Sequence, residues 1–219
     1  MTDYTALYAD HDTMANHWWW RPGWHVGTRF YAWHITQNDQ PDVRALVHRY
    51  RDAVSTIRTL DPIPDQWLHM TLQGVGSIED IDALTLDSVT DAVAERLRTL
   101  APVTAHYQRA HIAREALILP PDVPEAFTDV RREIRQGITD ALGVCPEAEA
   151  GFRAHVSAAY SNAEANAAPI RAALDRAQPD TPAAATYTHV SLIRMHRDRR
   201  MYEWDTVRTV PLGREALPN

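Results

Sequence analysis

The chain has 219 residues, a formal net charge of −7 and 45% hydrophobic residues. That length supports one large domain or two small lobes with a real core. The acidic balance argues against broad binding to long nucleic acid, which needs a basic face, and no run approaches the ~18 consecutive apolar residues of a membrane span.

The start, Met1-Thr2-Asp3-Tyr4, is acidic and lacks the basic-then-apolar order of a signal peptide. Residues 1 to 26 read as an irregular aromatic extension, with Trp18, Trp19, Trp20 and Trp24 around Pro22-Gly23. Gly27 to Thr36 alternates and is rich in aromatics, which predicts a strand. Asp42 to Leu60 carries Val43, Leu46, Val47, Tyr50, Val54 and Ile57 at helical spacing, with Pro62 and Pro64 as the stop. Trp67 to Val75 predicts a strand, Asp80 to Leu100 a helix, and Val103 to Ala110 with Ala116 to Leu119 a pair of strands ended by Pro120-Pro121. A third helix, Pro124 to Leu142, puts Phe127, Val130, Ile134, Ile138 and Leu142 on one face, and Gly143 is its stop. A polar loop, Cys145 to Gly151, leads into the strand Phe152 to Tyr160. The helix Ala163 to Ala177 and a closing hairpin, Ala184 to Met195 and Met201 to Val210, follow. Cys145, the single cysteine, excludes an internal disulfide, suits a reducing cytoplasm and, with no paired motif around it, reads as inert.

This order, β-α-β-α-β-β-α-β-α-β-β, loosely repeats itself. No Gly-rich phosphate loop follows any strand, so a doubly wound parallel sheet is disfavoured. The expectation is an α+β protein of two similar lobes.

Two of the strands carry one pattern. Trp67-Leu68-His69-Met70-Thr71-Leu72 and Phe152-Arg153-Ala154-His155-Val156-Ser157 each hold a His, one apolar residue and a hydroxyl residue, with the two histidines 86 positions apart. Residues i and i+2 of a strand face the same way. Each segment therefore presents an imidazole beside a hydroxyl. Two such faces brought together hold two proton-transfer groups and two hydrogen-bond donors around one tetrahedral anion, which is equipment for phosphoester chemistry without a metal.

Paired His-x-Thr/Ser strands in this order and spacing resemble the two-histidine (2H) phosphoesterases. That group includes the 2′,3′-cyclic phosphodiesterases of the 2′-5′ RNA ligase family. The resemblance covers about Gly27 to Leu212. It implies a single bilobal domain over 1–219 with pseudo-symmetric lobes, each an antiparallel sheet backed by helices, and a central cleft between motif strands near 67–75 and 152–160. It implies His69, Thr71, His155 and Ser157 as catalytic residues, with His155 the base that activates water and His69 the acid that protonates the 3′ oxygen. Two departures stand out: Ser157 replaces the commoner Thr, and Ala154 stands where Pro is common. His189-Val190-Ser191 has the same form, but its strand better matches a later family strand that carries no catalytic histidine, so His155 is preferred.

The implied activity is opening of 2′,3′-cyclic phosphates on RNA 3′ ends or small cyclic nucleotides to 2′-phosphates, with weak reverse 2′-5′ ligation. The alternatives are a non-catalytic nucleotide or RNA-end binding module of the same fold, and an enzyme for a small non-RNA cyclic phosphate. No cofactor, metal, membrane or obligate protein partner is implied. Arg21, Trp24, Tyr160, Arg200 and Tyr202 are candidate substrate contacts, Tyr160 only if a bend turns it to the Ser157 face. The Trp run is expected chiefly to anchor its segment over a sheet edge. His11, Asp12, His17 and His25 match no closed metal pattern, and His34 has no assigned role.

Overall fold

Alternating apolar and polar residues build two four-stranded antiparallel sheets here. The computed structural model describes residues 8–213; the acidic start Met1–Tyr4 lies outside them. In chain order the elements are β1 (Thr13–Met14), β2 (Phe30–Thr36), α1 (Pro41–Ala53), β3 (Leu60–Pro62), β4 (His69–Ser77), α2 (Ala83–Leu97), β5 (Val103–Tyr107), β6 (His111–Ile112), β7 (Ala116–Leu119), α3 (Pro124–Leu142), β8 (Val156–Ser161), β9 (Ala165–Asn166), α4 (Ala168–Ala177), β10 (Ala183–Tyr187), β11 (His189–His196) and β12 (Glu203–Pro211).

The first sheet runs β12-β11-β2-β4 and the second β3-β8-β7-β6, with short pairs β5–β10 and β1–β9 beside them. Helices α2 and α3 pack on each other and cover the first sheet through β12 and β4; α1 and α4 pack together, and α1 lies over β10 and β8. The fold is therefore α+β, as expected.

The sequence order conceals an exchange between the halves. The closing hairpin β11–β12 returns to pair with β2, and so completes the sheet that holds the first motif. Strand β7, from the middle of the chain, pairs with β8. Helix α1 follows a strand of the first sheet yet packs over the second.

Local chemistry sets the boundaries. Pro41 opens α1, where a missing N–H costs nothing. The helix stops at Ala53 and not near Leu60, because the Val54–Thr59 segment turns and Leu60–Pro62 pairs with β8. Helix α2 is capped by Asp82, whose carboxylate accepts from the Thr85 N–H at 2.8 Å. Helix α3 ends on Gly143 at φ 78°, the left-handed stop read from its position. Helix α4 starts later than expected, because Ala165–Asn166 pairs with β1 and Pro169 sets the first turn. The expected long strand Ala184–Met195 is two strands, broken at Thr188, that serve different partners. Among the described residues no helix is long and apolar enough to cross a membrane.

Candidate active site

Both motif strands carry the same irregularity at the same place. Along β4, Trp33 faces Gln73 and His34 faces Thr71, so Leu72 is an extra, bulged residue. Along β8, Leu117 faces Ala159 and Ile118 faces Ser157, so Ala158 is extra. Each bulge directly follows the motif hydroxyl and reverses the strand's alternation. The residue three beyond the hydroxyl then shares its face. Gly74 and Tyr160 accordingly line the same cavity as Thr71 and Ser157. This is how Tyr160 reaches the Ser157 face despite odd spacing.

The cavity is about 570 Å³, and His69, Thr71, His155 and Ser157 all line it. Strands β4 and β8 approach within 8 Å between Cα atoms. The two imidazoles are held alike. His69 Nδ1 lies 2.8 Å from the Trp67 carbonyl, and His155 Nδ1 lies 2.7 Å from the Arg153 carbonyl. A carbonyl only accepts, so each ring carries a proton on Nδ1 and leaves Nε2 to do chemistry. Burial lowers the His69 pKa to about 4; the Trp67 carbonyl opposes this and His155 adds to it. Burial also lowers His155, helped by the Arg153 guanidinium and opposed by its carbonyl. Both rings are therefore neutral near pH 7.

Each motif hydroxyl has one further side chain on it. Thr71 Oγ1 lies 3.2 Å from His34 Nε2, across the strand pair. Ser157 has the Tyr160 side chain beside it on the same face of the cavity. Burial, then Tyr202, raises the Tyr160 pKa far above its ordinary value. Tyr160 stacks on His17 at 4.2 Å, with the rings 12° apart. His17 in turn sits 3.0 Å from Glu115 and is lowered to about 4, first by burial and then by Arg21.

The aromatic extension forms one wall. Trp18 is buried and donates its indole N–H to Asp61 at 2.8 Å, which anchors the segment. Trp24 packs on Phe30 at 5.5 Å and, with Arg21 and Tyr202, lines the cavity. Arg200 does not line it: it sits exposed at φ 54° in the β11–β12 turn. Arg197 occupies the cavity wall instead, only 3% exposed. Its guanidinium donates to the Trp19 carbonyl at 2.6 Å and the Tyr202 hydroxyl at 3.3 Å, and lies over the Trp18, Trp20 and Tyr202 rings at 5.3–5.8 Å. Among the described residues it makes no ion pair with a carboxylate. Sequence reasoning missed it, although Ile193, Met195 and Arg197 share one parity and the first two are buried. His189 lies outside the cavity, with Nδ1 3.2 Å from the Thr188 hydroxyl.

At the Gly74 position the first motif has room where the second has Tyr160. The Glu147 carboxylate fills it: Oε2 accepts from the Gly74 N–H at 2.9 Å and the Gln73 amide at 3.0 Å. A Cβ on Gly74 would sit 2.3 Å from Glu147 Oε1. Arg131, donating to the carbonyls of Leu72, Ala148 and Glu149, ties this loop to β4. Among the described residues, no group of three or more His, Cys, Asp or Glu side chains is arranged to hold a metal ion.

A family model described as the 2′-5′ RNA ligase superfamily matches residues 39–199. No curated protein matches the chain. The crystal structure of TT0787 from Thermus thermophilus is 18% identical, with a TM-score of 0.64 over 86% of this chain and 100% of that one. Escherichia coli LigT complexed with 3′-AMP is 16% identical, with a TM-score of 0.66 over 85% of this chain and 99% of that one. LigT complexed with NADP+ gives 16% identity and a TM-score of 0.64 over 85% and 99%. At these identities the likeness is one of fold.

Proposed function

The chain belongs to the 2′-5′ RNA ligase superfamily, and on that premise we propose that it is a phosphodiesterase that opens 2′,3′-cyclic phosphates of RNA ends or small nucleotides to 2′-phosphates. The observation that carries this reading is the matched pair of imidazoles: each is locked by a carbonyl two residues earlier, and each has Nε2 free in one shared cavity.

Water attacks phosphorus as His155 Nε2 takes its proton. The bond from phosphorus to the 3′ oxygen breaks, and that oxygen takes a proton from His69 Nε2. The phosphate stays on the 2′ oxygen. Thr71 and Ser157 donate to the non-bridging oxygens, and Arg197, itself nearly closed off from water, supplies a fixed positive charge on the cavity wall. Burial keeps His69 neutral near pH 7, so its acid role needs the substrate's negative charge to raise its proton affinity. With the 5′ hydroxyl of a second end attacking in place of water, the same two proton transfers release the 3′ oxygen and leave a 2′-5′ linkage, a weak joining of ends. The cavity's volume suits one nucleotide, whether free or at the end of an RNA. The single cysteine suits work in a reducing compartment such as the cytoplasm.

The test is turnover of 2′,3′-cyclic nucleotides beside a binding assay, with and without EDTA. The expected result is a 2′-phosphate product at a rate EDTA leaves unchanged. Binding without turnover gives the binding-module reading; loss of rate with EDTA gives a metal mechanism.

A further inference from the structure

His34 is an imidazole against the first motif that the proton transfers above do not use. It lies in the middle of the first sheet, between β4 and β11, and is fully buried. Its ring is parallel to that of His69, at 4.3 Å and 2°, and the indole of Trp204 meets both rings edge-on, at 5.5 and 5.0 Å. Its Nε2 is 3.2 Å from Thr71 Oγ1, and its Nδ1 is buried with no hydrogen-bond partner. The matching position across from Ser157 is Ile118, an apolar side chain. The imidazole is thus specific to the first motif.

A buried N–H without an acceptor is among the rarest features of a folded protein. The proton of His34 therefore belongs on Nε2, with the bare lone pair at the orphaned Nδ1. Nε2–H then donates to Thr71 Oγ1. A hydroxyl that accepts one hydrogen bond still has its own hydrogen to give. We infer that His34 is a positioning residue: its Nε2–H holds the Thr71 oxygen, so that the Thr71 hydroxyl points its hydrogen at the substrate phosphoryl group, while its ring is the floor on which His69 stands. The inference rests on the reaction proposed above, but the state of the His34 ring is independent of it.

Two measurements on the full chain test this. In long-range ¹H–¹⁵N spectra of histidine-labelled protein, with the His34 signals assigned from a His34→Gln sample, His34 is expected as the neutral Nε2–H tautomer at pH 7, and His69 and His155 as Nδ1–H tautomers. A His34 proton on Nδ1 overturns the inference, whatever the protein's activity. In kinetics, His34→Gln keeps an amide N–H where Nε2–H was, and is expected to hold kcat within about threefold. His34→Leu removes the donor and is expected to lower kcat ~10- to 100-fold with little change in KM, somewhat less than deletion of a whole oxyanion donor. In a Thr71→Val background, where no hydroxyl remains to be aimed and only the support of the His69 ring is altered, His34→Leu is expected to cost no more than about threefold further; a full additive loss overturns the inference. Should His34→Leu not fold, the tautomer and the Gln variant decide. A wild type that turns over no cyclic phosphate sinks the proposed reaction, and the His34 spectrum still decides its positioning role.

Discussion

Mild acid should destabilise this protein, and the cause lies in the site. Three imidazoles are held neutral by burial: His17 and His69 are lowered to about 4, and His34 well below its ordinary value. In the unfolded chain each returns to about 6.5. Between those values the unfolded chain binds more protons than the folded one. The stability these groups permit is complete above ~6.5 and is lost as the pH falls toward 4. Going from pH 7.5 to 5.5 costs on the order of 1 kcal/mol per group, and roughly 4 kcal/mol for the three together. That is a large part of the roughly 5–15 kcal/mol that holds a domain together. His155, also lowered, adds to the loss. The aspartates lowered by their partners, Asp65 and Asp198 among them, titrate below this window and do not offset it. Urea unfolding followed by far-UV circular dichroism at the two pH values, at fixed ionic strength, measures the difference directly. A thermal scan should show a fall of roughly 8–16 °C. His34→Gln should shrink the pH-dependent loss by about a third. A difference below ~1 kcal/mol would refute the linkage, because it would mean that these rings accept protons in the folded state.

The remaining predictions bear on the chemistry. If one proton must be shared between two histidines that are both depressed in the free enzyme, kcat/KM for a cyclic nucleotide should fall as pH rises above ~6.5, approaching tenfold per unit. A plateau extending to pH 8 would contradict the lowered values of His69 and His155. Either His69→Ala or His155→Ala should cost on the order of 10²- to 10⁴-fold in kcat. A substrate with sulfur as the leaving atom needs no acid and should rescue His69→Ala alone; rescue of His155→Ala instead would exchange the roles. Arg197→Met should weaken phosphate binding in calorimetry and lower kcat/KM by about 10²-fold, while unchanged values would place its charge away from the substrate. Gly74→Ala should expel Glu147 from the Gly74 N–H and cost about 1–2 kcal/mol in urea unfolding. Its effect should be smaller in a Glu147→Ala background.

The element types, the α+β class and the two motif strands were legible because alternation and helical spacing are local signals. The exchange between halves was not. Nothing in β11 says that it returns to β2 and not to a neighbour, because pairing partners are chosen by the whole core. The split at Thr188 escaped for the same reason, since the two pieces alternate alike but serve different sheets. Bulges at Leu72 and Ala158 are register events between strands, so Tyr160 was readable only as a conditional contact. Arg200 and Arg197 differ by three places in one basic turn. Parity along β11 favoured Arg197, but where the strand gives way to the turn was not legible. His34 was unreadable as anything but a strand residue, because its meaning comes from Thr71 and His69 across the sheet.

The differences between the two motifs carry more mechanistic content than their likeness. His69 is buried against His34 and Trp204, whereas His155 is only half-buried and precedes its strand. A hydrolytic water arrives from solvent, and the more open imidazole is the one placed to receive it and take its proton. The leaving ribose oxygen arrives with the substrate and can be met by a ring that water does not reach. Shielding has a second effect at His69: the proton it gains when the anion binds is held among neutral rings, in a low-dielectric environment that favours its transfer to a developing alkoxide. On the proposed mechanism Thr71 is aimed by a ring whose burial keeps it neutral well below the ordinary histidine range, so this donor keeps its orientation across the range in which the two histidines exchange their proton.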